Sequence, residues 1–354
     1  STLVRRALAF DASRHLSLFG RYPDVTARPD RWVSWRFDGV RQGLRLIREY
    51  RPQAIWSTYP IATAHLIGAA LQRRSGLPWI ADFRDPMAQE GYPEDPRVRR
   101  SFQAIERQVM AQARHAVFTT PSALRSYRER YPDATAALSL IENGYDEGSF
   151  QACAALSNPN EPLTPGVVTL LHSGIVYPSE RDPTALFVAL GRLARAGVLV
   201  SQQLRLRFRA PVHEALLRAL AQKHGVAGLV EILPPLPYRE ALQEMVRADG
   251  LLVMQASNCN AQIPAKIYEY LRARRPIVCL ADPAGDTELV LRAAGVRDCA
   301  RLDSADEITA LLPAWLGRVR AGVVTLPRAD AVAAASREGR ARQLATLLGA
   351  MART

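Results

Sequence analysis

The sequence predicts an α/β protein of two domains, each with a parallel sheet covered by helices. Short aliphatic or β-branched runs alternate with longer helical patterns, and this alternation occurs in two series. A Pro-, Ser- and Asn-rich stretch at residues 147–166 separates the two series. The 354 residues, 48% of them apolar, suffice for two separate cores. We therefore expect two open sheets that face each other across a cleft, with ligands bound beyond the carboxyl ends of the strands.

The first series contains the patterns of four strands and three helices. Its apolar runs predict strands at 53–58, 78–83, 115–120 and 138–143, and the helical patterns between them lie at 61–74, 96–113 and 122–131. Residues 1–50 most simply form a pair of helices with a solvated arginine face. Their ten arginines and interleaved aromatic residues would also suit an anionic membrane surface or single-stranded nucleic acid.

The second series repeats the scheme with five strands and six helices. The strands are expected at 167–174, 204–210, 229–233, 250–255 and 275–280, and the helices near 183–196, 212–224, 238–248, 264–273, 286–294 and 304–318. The predicted organisation is therefore an N-terminal domain, an interdomain linker, a C-terminal domain and a final helix, at residues 1–150, 151–166, 167–326 and 327–354.

The chain is strongly basic, with a net charge of +12 and a pI near 10. This charge favours anionic partners without choosing among phosphates, nucleic acid and acidic membranes. Of the 46 basic residues, only Lys223 and Lys266 are lysines. The four cysteines occur singly, and no apolar run approaches the length of a membrane span. We expect a cytoplasmic protein with core cysteines and no bound metal.

The stretch LLHSGIVYPSERDP, residues 170–183, places polar residues directly after a predicted strand. Gly174 would let a ligand approach the backbone closely. Arg181 precedes Asp182-Pro183, a pair typical of a helix start, where free N–H groups favour an anion. The alternative is a capped surface helix with a solvated arginine.

The stretch IPAKIYEYL, residues 263–271, repeats this design after the strand at 250–255. Lys266 and Glu269 lie one turn apart on the predicted helix, off its apolar face, which includes Ile267. An ammonium can hold a phosphate oxygen, and a carboxylate can accept both hydroxyls of a ribose. The alternative is a surface ion pair of little energetic weight. The rarity of lysine argues modestly against that alternative.

These motifs together resemble a known family. The segments WIADFRDP (79–86), IENGYDEGSF (141–150), HSG (172–174) with SERDP (179–183), and IPAKIYEYLRARRPIV (263–278) are similar to those of the retaining GT-B glycosyltransferases called family 4. The resemblance covers most of the chain, from near residue 50 to near residue 350. It implies two Rossmann-like domains, a nucleotide-diphosphate sugar bound by the second domain, and a final helix that crosses back to the first.

The resemblance also implies roles for individual residues. Glu269 falls where the family's glutamate binds the donor ribose, Lys266 and Arg181 fall at the diphosphate, and Tyr238 falls near the nucleobase. Gly174 and Ile267 complete the expected donor site. In ADFRDP, the residues Asp82, Arg84 and Asp85 occupy a strand end that meets the transferred sugar or the acceptor. A structural turn is the alternative role for that pair of acids. His65 is also assigned to the acceptor side, with a structural role as its alternative.

Two departures from the family stand out. Many relatives carry a further glutamate where this chain has Ala261, so we expect Asn258, Asn260 and Gln262 or backbone amides to replace it. Residues 1–50 contain no counterpart of the family's first strand and glycine-rich turn.

We therefore expect a metal-independent, retaining hexosyltransferase that uses no cofactor. It would move a sugar from a nucleotide donor to a glycan or lipid-linked acceptor, with Asp82, Asp85, Arg181 and Lys266 as catalytic residues. An anionic membrane surface, at the inner face of the membrane, is a possible partner, whereas nucleic acid is not expected. The alternatives are a nucleotide-sugar 2-epimerase on the same fold and a non-catalytic binding protein.

Overall fold

The computed structural model of the protein describes residues 3–15, 24–89, 91–154 and 161–351. Its contacts divide the chain into two compact units. Unit 1 comprises residues 1–142 and 343–354, and unit 2 comprises residues 143–342.

Unit 1 contains a parallel sheet with helices formed by the intervening segments. Its strands pair in the order β1-β2-β3-β4. Its elements are, in chain order, α1 (Ala12–His15), α2 (Trp35–Tyr50), β1 (Ile55–Thr58), α3 (Ala62–Ser75), β2 (Trp79–Phe83), α4 (Pro96–Gln112), β3 (His115–Phe118), α5 (Pro121–Arg130) and β4 (Ala137–Leu140).

Local chemistry explains where the helices of unit 1 begin. The side chain of Asp95 accepts a hydrogen bond from the backbone N–H of Arg97, and Thr120 does the same for Ala123. Each cap is followed by a proline at the first helical position, where the missing N–H costs nothing. The strands β2 and β3 are almost wholly buried, because helices cover both of their faces.

Unit 2 contains a six-stranded parallel sheet in the order β10-β9-β8-β5-β6-β7. Its elements are α6 (Glu147–Ala154), β5 (Val168–Ser173), α7 (Thr184–Arg195), β6 (Leu204–Arg209), α8 (Glu214–Lys223), β7 (Val230–Leu233), α9 (Tyr238–Arg247), β8 (Gly250–Met254), α10 (Lys266–Ala273), β9 (Ile277–Leu280), α11 (Asp286–Ala293), β10 (Asp298–Ala300), α12 (Ala305–Arg320), α13 (Ala329–Ala334) and α14 (Arg337–Met351), of which the last helix ends in unit 1.

The strand order of unit 2 places a topological switch point between β5 and β8. From β5 the chain proceeds outward to β6 and β7, and it then returns to β8 and proceeds outward in the opposite direction. Open parallel sheets bind ligands in the crevice beyond the strand ends at such a point. The loops after β5 and β8 are those that the sequence singles out.

The α/β fold class is confirmed, and the nine predicted strands all occur within a few residues of their predicted positions. The strand β10 and the helix α6 were not predicted, and the predicted final helix is split into α13 and α14. The contact division assigns residues 143–150 to unit 2, whereas the sequence placed them in the first domain. Residues 155–160 of the predicted linker lie outside the described residues.

Candidate functional site

The ends of β5 and α10 bring Gly174 and Lys266 together. The Tyr270 hydroxyl accepts a hydrogen bond of 2.9 Å from the backbone N–H of Ser173, the last residue of β5. Gly174 has a φ of 119°, a conformation that favours glycine, and a Cβ at this position would lie 2.6 Å from Lys266 Nζ. Only a residue without a side chain therefore leaves room for the ammonium.

The Lys266 ammonium has an unusual environment. Its Nζ atom is buried and has no hydrogen-bond partner among the described residues, although the residue as a whole is half-buried. The pKa of Lys266 is lowered to about 7, mainly by burial and also by the nearby Arg181 charge, while the Glu269 charge opposes the shift. Desolvated cations without an anion are unfavourable, so this arrangement favours the binding of an anionic group.

Arg181 lies in the turn between β5 and α7. Its guanidinium donates a 2.8 Å hydrogen bond to the carbonyl oxygen of Ile175 and packs 5.2 Å from the ring centroid of Tyr177. The helix α7 begins at Thr184, slightly later than predicted, and Asp182 accepts a hydrogen bond of 2.9 Å from the Thr184 N–H. The turn thus holds the guanidinium within electrostatic reach of Lys266.

Glu269 and Tyr238 form a second part of the same site. The Tyr238 hydroxyl, at the start of α9, donates a 2.8 Å hydrogen bond to Glu269 Oε1. Desolvation and this carboxylate raise the pKa of Tyr238 to about 12, so the hydroxyl stays protonated as a donor. The structure thus brings together five of the six residues predicted for the donor site.

The side chain of Ile267, the sixth residue, lies in the core. It is completely buried in an apolar cluster with Leu251 and Tyr270, and its N–H donates to the carbonyl oxygen of Pro264. A side chain in this position anchors α10, and the role of Ile267 in the donor site stays a prediction.

The sequence did not reveal the charged cluster that supports the loops after β6 and β7. Glu244 is buried and accepts hydrogen bonds from Arg207 (3.0 Å) and from two nitrogens of Arg209 (2.6 and 2.8 Å). Arg209 also donates to the carbonyl oxygen of Pro234, just before α9 and Tyr238. In the sequence, only the alternation of arginine in LRLRFR, residues 204–209, indicates this cluster.

The loop between β6 and α8 carries backbone strain. Ala210 and Val212 have φ values of 53° and 65°, which residues with a Cβ rarely adopt. The carbonyl oxygen of Pro211 accepts a hydrogen bond from the N–H of Val176, and the carbonyl oxygen of Arg209 accepts one from the N–H of Gly174. The strained loop is therefore tied to the Gly174 segment of the candidate site.

The loop that contains the position of the family's missing glutamate is fixed by its own amides. Asn258 donates to the carbonyl oxygen of Ser179 (3.0 Å), and Asn260 donates to Asp282 (2.8 Å). These contacts attach the loop after β8 to the Arg181 turn and to the loop after β9.

In unit 1, Asp82 lies at the carboxyl end of β2. It is half-buried and accepts a 2.8 Å hydrogen bond from the Thr58 hydroxyl. Asp85 and Arg84 are exposed in the following loop. Desolvation raises the pKa of both aspartates, while the Arg84 charge opposes the shift. The two carboxyl groups and the guanidinium thus share one edge of the sheet.

His65, predicted to lie on the acceptor side, is a core residue. It is fully buried, its Nδ1 lies 2.8 Å from the Ser57 hydroxyl, and its ring packs against Trp79 and Phe83. Burial lowers its pKa to about 3, so the imidazole is neutral at physiological pH. The absence of solvent exposure favours the structural role that was the alternative for His65, and its place on the acceptor side stays a prediction.

Two features concern the described part of the chain as a whole. It contains no group of three His, Cys, Asp or Glu side chains arranged to hold a metal ion. None of its helices combines the length and the hydropathy needed to cross a bilayer.

The chain is similar to known proteins in part of its sequence and in its fold. The profile of the Glycosyl transferase 4-like domain matches residues 5–144. No curated protein matches the sequence.

Several solved structures are similar to most of the chain. The trehalose 6-phosphate synthase of Burkholderia multivorans has a TM-score of 0.64 at 14% identity, over 91% of this chain and 77% of that chain. HepE of Anabaena, solved with UDP-glucose, has a TM-score of 0.62 at 14% identity, over 88% and 82%. The sucrose-phosphate synthase of Thermosynechococcus elongatus has a TM-score of 0.56 at 14% identity, over 89% and 77%. Residues 5–144 thus match the model of the Glycosyl transferase 4-like domain, and the chain has the GT-B fold of these solved structures.

Proposed function

We propose that the protein transfers a sugar from a nucleoside-diphosphate sugar to a glycan or a lipid-linked acceptor. The observation that carries this proposal is the pair of cations at the switch point of unit 2. Lys266 presents a buried ammonium without a described partner, and Arg181 lies near enough to lower its pKa. A diphosphate supplies the negative charge that both groups lack.

The residues beside this pair suit the nucleoside part of the donor. Glu269 has carboxylate oxygens that can accept hydrogen bonds from the two ribose hydroxyls, and Tyr238 holds that carboxylate in place. The ring of Tyr238 is about half exposed, with 48% of its surface accessible, so it offers an aromatic face to a base.

The same groups suit the reaction. Cleavage of the bond between the anomeric carbon and the diphosphate leaves negative charge on the phosphate oxygens. A fixed ammonium and guanidinium stabilise that charge, and each such contact contributes about 3–4 kcal/mol in a water-poor site. In this proposal the two side chains perform the role without a metal ion.

We assign the acceptor hydroxyl to Asp82 and Asp85, with Arg84 beside them. Their raised pKa values bring these carboxyl groups closer to the range in which a group can exchange protons. We further propose that the anomeric configuration is retained by front-face transfer, in which a donor phosphate oxygen helps to accept the proton.

The nucleotide panel for testing this proposal starts with UDP, because HepE was solved with UDP-glucose and UDP. We expect one of the diphosphates UDP, GDP, ADP or dTDP to raise the melting temperature of the full chain, and CMP, which carries a single phosphate, to raise it less. Lys266→Ala should abolish that rise, whereas Lys223→Ala, which removes the other lysine from an exposed position, should preserve it. Equal rises in both variants would contradict the assignment.

The reaction itself is tested by incubating the matching nucleotide sugar with and without candidate acceptors. Transfer to an acceptor with retained configuration, seen by NMR, supports the proposal. An epimer formed from the donor alone would identify a 2-epimerase instead. Binding without any turnover would identify a non-catalytic protein.

A further inference from the structure

The loop after β2, residues 84–88, carries Arg84 and Asp85 on irregular backbone. Peptide groups outside helices and strands need other partners, or they are free to move. In this loop the partners come from the side chains of two helices and of the segment between them, and they form a compact network.

Four hydrogen bonds tie the backbone of the loop to these helices and to the segment between them. The Thr119 hydroxyl donates to the carbonyl oxygen of Arg84 at 2.6 Å, and the N–H of Met87 donates to the Tyr127 hydroxyl at 3.0 Å. Ala88 is held on both sides. Its N–H donates to Glu106 Oε1 at 2.8 Å, and its carbonyl oxygen accepts from Arg130 at 2.6 Å.

Glu106, on α4, is the centre of this network. Its side chain is completely buried, and it accepts hydrogen bonds from the hydroxyls of Tyr127 and Tyr131, the latter at 2.7 Å. Arg130 supplies the opposite charge at 3.1 Å. Burial raises the pKa of both tyrosines, so their hydroxyls stay protonated and donate to the carboxylate.

A buried charge of this kind is weak evidence for stability, because well-packed apolar residues often serve as well or better. What the buried carboxylate adds is a fixed geometry, since each of its two oxygens accepts hydrogen bonds from defined donors. Two of the four contacts that fix the loop, those to the N–H and the carbonyl oxygen of Ala88, come from the ion pair itself.

We infer that Glu106 is a positioning residue that, with Tyr127, Arg130 and Tyr131, holds the loop of Arg84 and Asp85 in its functional geometry. This role rests on the proposed function, in which that loop orients the acceptor. Glu106 acts through the backbone of the loop and does not touch the substrate. A displacement of about 1 Å in a loop of this kind lowers turnover by roughly 100-fold.

The direct test is hydrogen exchange of the peptide spanning residues 84–89 in the full chain. Glu106→Gln and the milder Tyr131→Phe should accelerate exchange of the Met87 and Ala88 amides by about tenfold. Val109→Ala is the matched control, because Val109 is a fully buried residue of α4 outside the network. The inference would be overturned if these amides exchanged no faster in Glu106→Gln and in Tyr131→Phe than in Val109→Ala.

The functional test separates positioning from general destabilisation. With UDP-glucose as the probe donor and a candidate acceptor whose hydroxyl takes up the glucosyl group, release of UDP should fall by roughly 10–100-fold in Glu106→Gln, while the thermal shift caused by UDP stays unchanged. In Val109→Ala, both the release of UDP and the thermal shift caused by UDP should equal those of the unaltered chain. An equal loss of turnover in Val109→Ala would refute a positioning role. Absence of turnover in the unaltered chain would count against the proposed function, and the exchange comparison would still decide the role of Glu106.

Discussion

At the scale of single residues, Lys266 combines two properties that seldom coincide. Its ammonium is buried without a described partner, and a second cation lies nearby. The folded protein therefore holds this group at an energetic cost, and the cost is removed when an anion binds or when the ammonium loses its proton.

The first prediction concerns Lys266→Met. The pKa of Lys266 is about 7 in the folded chain and near 10.5 in the unfolded chain, so between these values only the unfolded chain holds the proton. The free energy of unfolding should therefore rise with pH across this window. Lys266→Met should remove that rise and stabilise the chain by about 1–4 kcal/mol at pH 6, while nucleotide binding is lost.

This prediction is checked by urea unfolding of the unaltered chain and of Lys266→Met from pH 6 to 10. A variant that is less stable than the unaltered chain at pH 6 would show that the ammonium has a partner in solution.

The second prediction concerns Gly174→Ala. The new Cβ would lie 2.6 Å from Lys266 Nζ, so the ammonium must move, and nucleotide affinity should fall at least tenfold. Gly197→Ala is the control, because Gly197 also has a positive φ, of 68°, but its Cβ would meet nothing within 4 Å. Both variants should lose about 1–3 kcal/mol of stability through strain. Calorimetric titration of both variants with the same nucleotide separates the two effects.

Individual site residues could be predicted only in part. The rarity of lysine and the strand-end positions pointed to Lys266, Arg181 and Glu269. The apolar face of α10 already indicated that Ile267 is buried, whereas the burial of His65 was not visible, because the pattern of α3 does not say which side of the helix the sheet covers. Glu106 and Glu244 escaped notice because their partners come from distant segments.

At the scale of elements, the charged cluster of Arg207, Arg209 and Glu244 joins β6 to α9. Arg207 also pairs with Glu231 on β7, at 2.6 Å, where the carboxylate is partly exposed. The cluster therefore connects three elements whose loops surround the candidate site.

The third prediction follows from the asymmetry of this cluster. Glu244→Leu leaves the buried Arg209 guanidinium without a carboxylate and leaves Arg207 with Glu231 alone, and it should cost about 3–5 kcal/mol of stability. Glu231→Gln removes a more exposed partner and should cost about 1 kcal/mol or less. Adding Arg209→Met to Glu244→Leu should recover part of the loss. Chemical unfolding of the four chains tests this order, and equal losses in the two single variants would contradict it.

The elements themselves could largely be predicted, because apolar strands and amphipathic helices carry clear periods. The strand β10 was not predicted, because it has only three residues, of which Asp298 is polar. The helix α6 was not predicted, because its composition is that of a loop. It is stabilised by Ser149 N–H bonded to Asp146 and by Phe150 and Cys153 packed in the core, and these contacts have no periodic signature.

At the scale of the whole molecule, the net charge of +12 gives the protein a general attraction to anionic surfaces. Several apolar side chains near the N-terminus are exposed as well, namely Leu3, Val4, Leu8, Phe10 and Phe37. Of the aromatic residues that the sequence drew attention to, Phe19 and Tyr22 lie outside the described residues. We propose that this part of unit 1 rests on an anionic membrane surface.

The fourth prediction tests this proposal with vesicles. The full chain should bind vesicles that contain phosphatidylglycerol and not those of phosphatidylcholine alone, and binding should weaken at about 0.5 M salt. Phe37→Ser, at a position 81% exposed, should reduce binding. Val323→Ser, at an exposed position of unit 2, is the control. Equal binding to both kinds of vesicle would argue against an anionic surface.

A chain with two lysines also makes its most important side chain easy to observe. Biosynthetic labelling of lysine at ¹³Cε should yield two resonances for all 354 residues, one from Lys223 and one from Lys266. The Lys266 signal should titrate near pH 7 and shift to higher pH when a nucleoside diphosphate is added, because the phosphate favours the charged form. The spectrum would thus report the charge of one catalytic candidate directly, without any mutation.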